Sequence, residues 1–211
     1  MHSKNLFNAL IKETVAPYLK KQGFKKTGLN FYRTGGDLFY IINFQNDSGN
    51  SYWNTRVFVN CGIHSFAIDI VLEKKLEKSP KVDSCFLYER IEALTGSGLK
   101  YHDMNAEANM EDVMIYLMSD LQKLIRYFNT VNSTEALIET LLTKRSLKQY
   151  EATLLYLIRT NKMHKMPEYA SKLYDMKPVL DNRWVKFETK VNDILSSEGI
   201  DKKLQDYLVD C

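Results

Sequence analysis

At 211 residues, with 45% apolar side chains, the chain is long enough to bury a proper core as one domain, or as one domain with an appendage. That composition excludes a disordered chain, and a formal charge of +3 is too mild to require a polyanion as partner. Three unclustered cysteines (Cys61, Cys85, Cys211), no leader-like segment and no apolar run near the roughly 18 to 20 residues of a bilayer span predict a soluble cytoplasmic protein.

From Ser3 to Gln22, Leu6, Phe7, Leu10, Ile11, Val15, Tyr18 and Leu19 recur at helical spacing, and Gly23 ends the pattern. Pro17 lacks an amide hydrogen, which predicts a kink there or a break near Val15. Phe24 to Ile63 then reads as three strands joined by two turns. Thr34-Gly35-Gly36-Asp37 suits a two-residue hairpin turn and pairs Arg33 with Leu38. Asp47-Ser48-Gly49-Asn50 offers a second such turn and pairs Gln45 with Tyr52 and Phe44 with Trp53. These registers sort the side chains into two faces. Leu29, Phe31, Leu38, Tyr40, Ile42, Phe44, Trp53, Thr55, Val57, Val59 and Cys61 form an apolar one. The opposite face mixes Asn30, Tyr32, Phe39, Ile41, Asn43, Gln45, Tyr52, Asn54, Arg56, Phe58 and Asn60.

The run Phe66 to Leu72 is predicted as a further strand, and Lys74 to Asp83, with Pro80, as a loop. Cys85 to Ile91 and Leu99 to Met104 flank the turn Thr95 to Gly98 and suit a closing pair of strands or a short helix. Glu111 to Asn129 carries a helical stripe that should pack on the apolar sheet face. Beyond Asn132 the punctuation is helical. Asn132 with Glu135 resembles a capping box, Leu147 to Thr160 forms a second helix, and Pro167 and Pro178 open helices reaching Met176 and Ser196. Gly199 terminates the last of these, and a short helix follows over Asp201 to Val209.

Gly23-Phe24-Lys25-Lys26 after a helix, then Phe31-Tyr32-Arg33, Ile42-Asn43-Phe44-Gln45 and Val57-Phe58-Val59-Asn60-Cys61-Gly62-Ile63, resemble a bacterial family of domains of unknown function, number 4304 in its series. The block from Cys85 to Leu94, with Arg90, is similar to that family's second block, while Tyr101 and His102 stand where tryptophan-like residues are expected. The likeness spans roughly residues 6 to 128. It implies an α+β domain with no assigned activity.

The fold class read from all this is α+β: an antiparallel meander (residues 1–131) flanked by an N-terminal and a long helix, followed by an all-helical extension (132–211) packed on it. Cys61 and His64, with Cys85 and His102, have metal-ligand chemistry, but two complete ligand pairs are lacking, so neither metal nor cofactor is expected. Cys61 with His64 as nucleophile and base would make a hydrolase of unrecognised type, yet nothing marks a third, orienting group. No catalytic residue is assigned. The remaining constellation is the mixed sheet face, where Tyr32, Asn43, Gln45, Tyr52, Asn54 and Arg56 combine rings, amides and a guanidinium. It predicts a non-catalytic module that binds another protein, with single-stranded nucleic acid as the alternative ligand and no membrane role. The bland alternative is that a neighbouring element covers this face and satisfies its polar groups.

Overall fold

The structure, a computed structural model, describes residues 3–105, 108–144 and 147–208, so Cys211 and the end of the short helix expected to reach Val209 lie outside the described residues. In chain order the elements are α1 (Ser3–Leu10), a π-helical turn (Ile11–Val15), α2 (Ala16–Lys21), β1 (Lys25–Thr27), β2 (Asn30–Gly35), β3 (Leu38–Asn46) and β4 (Asn54–Ser65). There follow α3 (Phe66–Val71), β5 (Leu87–Arg90), α4 (Ile91–Thr95), β6 (His102–Asn105) and α5 (Met110–Thr130). The rest is helical: α6 (Thr134–Thr143), α7 (Tyr150–Arg159), α8 (Met166–Tyr174), α9 (Lys177–Leu180) and α10 (Trp184–Ser197). The fold is α+β, with one antiparallel sheet.

The chain divides into two compact units, residues 1–65 with 78–132, and residues 66–77 with 133–211. In the first unit the sheet runs β1-β2-β3-β4-β5, and β6 pairs with the other half of β4. The first hairpin keeps the expected two-residue turn but moves it one residue along the chain. Gly35 pairs with Leu38 and Arg33 with Tyr40, leaving Gly36-Asp37 as the turn, because Gly36 alone takes the positive φ (+61°). The second turn is corrected further: Gln45 pairs with Phe58 and Phe44 with Val59, so residues 47–53 form a longer loop. Asn50 explains the difference. Its Nδ2 donates to the Arg56 carbonyl (3.0 Å) and its Oδ1 accepts from the Arg56 amide (2.7 Å), so a side chain takes the place of a backbone partner. Both registers shift by an even number of residues, so the assignment of faces survives.

The apolar face holds Phe31, Leu38, Tyr40, Ile42, Phe44, Val57, Val59 and Cys61, all buried. Phe7 of α1 meets Phe44 with centroids 6.4 Å apart, and Phe128 of α5 lies 5.3 Å from Tyr40, whose hydroxyl donates to the Val131 carbonyl (2.8 Å). Trp53 was expected here but sits in the loop, 64% exposed beside Tyr52. The N-terminal helix is neither broken nor simply kinked. Pro17 cannot donate to the carbonyl four residues back, and the helix widens so that the Ala16 amide bonds Ile11, five residues back.

In the second unit α3 replaces the strand expected at Phe66 to Leu72. Ile68 is buried and Ile70 is 64% exposed, a separation that a helix allows and that one strand face does not. Arg159 of α7 donates to the Val71 carbonyl at 3.3 Å and pairs with Glu198 at 2.7 Å. Ser133 caps α6 by accepting from the Ala136 amide, so the cap falls one residue after Asn132. The helix expected from Pro178 to Ser196 divides at Asp181, whose φ of +48° lies outside the helical region.

Candidate functional site

Four strands place one residue each in a single cross-strand row on the mixed face: Asn30 opposite Asn43, Asn43 opposite Asn60, and Asn60 opposite Arg90. The amides bond along it. Asn43 Nδ2 donates to Asn30 Oδ1 (2.7 Å), and Asn60 Nδ2 donates to Asn43 Oδ1 (2.9 Å) and Gln45 Oε1 (3.0 Å). Asn60 is 2% exposed, yet its Oδ1 has no partner among the described residues, and neither does Nη1 of Arg90. A buried polar atom left so costs on the order of 1–3 kcal/mol, so both atoms mark where the polar groups of this face are under-satisfied. The Arg90 guanidinium lies 4.2 Å from the Phe58 centroid.

The adjoining row is Tyr32, Ile41, Gly62 and Tyr88, and the next holds Phe39 and His64. Residues 79–88 cross this part of the face. A Cβ on Gly62 would stand 2.7 Å from Cys85 Sγ and 2.9 Å from Ile41 Cγ2, so only glycine lets the segment lie this close. Phe86 stacks on His64 at 4.8 Å. Between this cover and the amide row remains a cleft of ≈ 600 Å³, lined by Asn30, Tyr32, Asn43, Gln45, Asn60, Tyr88 and the Ser79–Asp83 stretch. Its floor includes Phe39 and Ile41, and Tyr32 stacks on Phe39 (5.8 Å, 18°).

Of the six residues expected to bind, Tyr32, Asn43 and Gln45 come together in this cleft. Asn54 and Arg56 share the face but belong to a separate cluster. Arg56 lies 3.6 Å from both Asp47 and Asp103 and 4.1 Å from the Tyr101 centroid, so its charge is already engaged. Tyr52 leaves the strands altogether for the loop, where it is 53% exposed. Sequence reasoning put Asn30 and Asn60 on this face by alternation but missed that Asn43 links them. Arg90 entered only through the family resemblance and Tyr88 only as part of an apolar run, and neither could be placed at the site, because nothing local says that β5 pairs with the end of β4.

The Cys61 and His64 pair is divided by the sheet: three residues apart on one strand, they point to opposite faces. Burial pushes the Cys61 thiol well above its ordinary range, and burial with Asp83 nearby raises Cys85 to about 12, so both thiols are held protonated. His102 stands on the apolar face, its Nε2 3.9 Å from Asp120 Oδ2. The four residues of metal-ligand type are therefore split between the two faces.

No curated protein and no solved structure matches this chain. A protein-family model described as a domain of unknown function (DUF4304) matches residues 15–181, from the end of the π-helical turn through α9. The match covers the sheet, the candidate cleft and most of the helices, well past the limit near residue 128 that the motifs suggested, and the chain belongs to the DUF4304 family.

Proposed function

We propose that this chain is a non-catalytic binding protein and that its mixed sheet face receives part of another protein. The observation that carries the reading is the amide-floored cleft with the buried, unpartnered Oδ1 of Asn60. Asn43, Asn60 and Gln45 offer both donors and acceptors, the complement of a main-chain or side-chain amide, while Tyr32, Phe39 and Ile41 offer apolar contact. Single-stranded nucleic acid is less well served. The lining holds one lysine (Lys81) and one aspartate (Asp83), whereas a strand's phosphates require a run of cations. The free thiols Cys61 and Cys85 suit a reducing compartment, and the same reading assigns the protein to the bacterial cytoplasm.

The test is capture from a bacterial lysate on immobilised protein, comparing the wild type with a Tyr32→Ala, Gln45→Ala double variant. Gln45 is exposed and Tyr32 half-buried, so the variant should melt close to the wild type. Loss of a captured protein, with retention after nuclease treatment and at raised salt, is the expected result. Undiminished capture by the variant would refute the site, and capture abolished by nuclease would transfer the face to nucleic acid.

A further inference from the structure

On the other side of the sheet edge, beyond the amide cleft, lies a groove of ≈ 680 Å³ between the N-terminal helix and β1. Lys12, Ala16, Pro17 and Lys20 form its helical bank, Lys25 and Lys26 its strand bank, and Phe24 and Phe31 its floor. Both rings are fixed from within, Phe24 against Phe128 (6.5 Å) and Phe31 against Phe44 (5.7 Å). Lys12, Lys20, Lys25 and Lys26 line the groove and no acidic residue does; side chains alternate along β1, so Lys26, opposite Phe31, turns toward the groove and Lys25, opposite Tyr32, toward the other face. Among the described residues none of the four is in an ion pair. Lys26 Nζ stands 6.0 Å from the Phe31 centroid. Lysines on a short edge strand ordinarily keep other strands away, which accounts for Lys25 and Lys26 but not for Lys12 and Lys20 on the helix.

We propose that this groove binds an acidic peptide segment of a partner protein that runs along β1 and seats one apolar side chain against Ala16 and Pro17, above the buried rings of Phe24 and Phe31. β1 is the end of the strand order and pairs with β2 alone, so its outer edge is open to a further strand. Alternate side chains of an added strand face the same way, so an apolar anchor and the carboxylates two positions before and after it turn into the groove together. The ammoniums of Lys12, Lys20 and Lys26 meet those carboxylates, and like-charge repulsion among these three lysines is relieved. The recognised pattern is acidic-x-apolar-x-acidic. The site uses none of the cleft residues and stands whether or not the amide cleft binds a protein.

The experiment is fluorescence anisotropy with two labelled synthetic peptides of identical composition, one with Glu two positions on either side of a central Phe, the other with Glu directly beside it. The first peptide should bind, more tightly than the second, and weaken as salt rises. A Lys12→Glu, Lys20→Glu variant that melts like the wild type should weaken binding by at least about tenfold. Reversal of the exposed Lys190 on α10 serves as a control for general charge and should change binding by less than about twofold. Equal binding by the double variant, or equal binding of the two peptides, would overturn the proposal. So would protein that sediments with phosphatidylglycerol vesicles but fails to bind the peptide, since the groove would then serve a lipid surface.

Discussion

At the scale of single residues, His102 shows how one buried side chain couples this fold to pH. It lies on β6 facing the core, and burial lowers its pKa from 6.5, a shift that the nearby Asp120 opposes without cancelling. The unfolded chain therefore binds a proton more readily than the folded one, and stability is lost as pH falls below 6.5. Urea midpoints measured from pH 7 to about pH 5 should decline, and His102→Gln should flatten that decline. An equal slope in the variant would mean that other groups carry the dependence.

Among the elements, β4 is the one on which the sheet depends. It pairs with β3 along one edge, and on the other its two halves take β5 and β6. Packing over its second half is close enough to exclude even a methyl group. Gly62→Ala should destabilise by about 1–3 kcal/mol, because the new carbon meets Cys85 and Ile41 inside contact distance. In the Gly62→Ala, Cys85→Ala double variant the cost should fall below the sum of the single changes, which denaturant titration of all four proteins measures directly. Strict additivity would show that the segment around Cys85 moves aside at no cost. The π-helical turn is a second device of this scale, since it preserves the helix through Pro17 and carries Lys12, Ala16 and Lys20 to the bank of the lysine groove.

For the whole molecule, the division at Asn132 is not the whole of the boundary. Residues 66–77 sit between two parts of the sheet unit in sequence, but they belong with the helices after Asn132. A chain ended at Asn132 keeps α3 and loses α7, whose Arg159 holds the Val71 carbonyl. Short helices are marginal without such packing. Hydrogen exchange on the truncated chain should show α3 unprotected and the protein less soluble, while the amides of β3 and β4 remain slow. Full protection of α3 in that chain would mean that it needs no helical partner.

Which side chains share a face was readable from alternation along each strand. A period of two survives any even slip in register, so the core face and the mixed face were legible even though both turns were placed wrongly. Helical periodicity and the Pro and Gly punctuation likewise located α1, α5 and most of the later helices, because those signals are local. Whatever depends on pairing between distant segments had no local signal and emerged only in the folded chain. Asn50 set the second turn through bonds to Arg56, and the pairing of β4 with β5 completed the row from Asn30 to Arg90. The split of Cys61 from His64 follows from alternation alone. The engagement of Arg56 by Asp47 and Asp103, and the cleft left beside residues 79–88, do not, because they depend on which segment comes to lie over which strand.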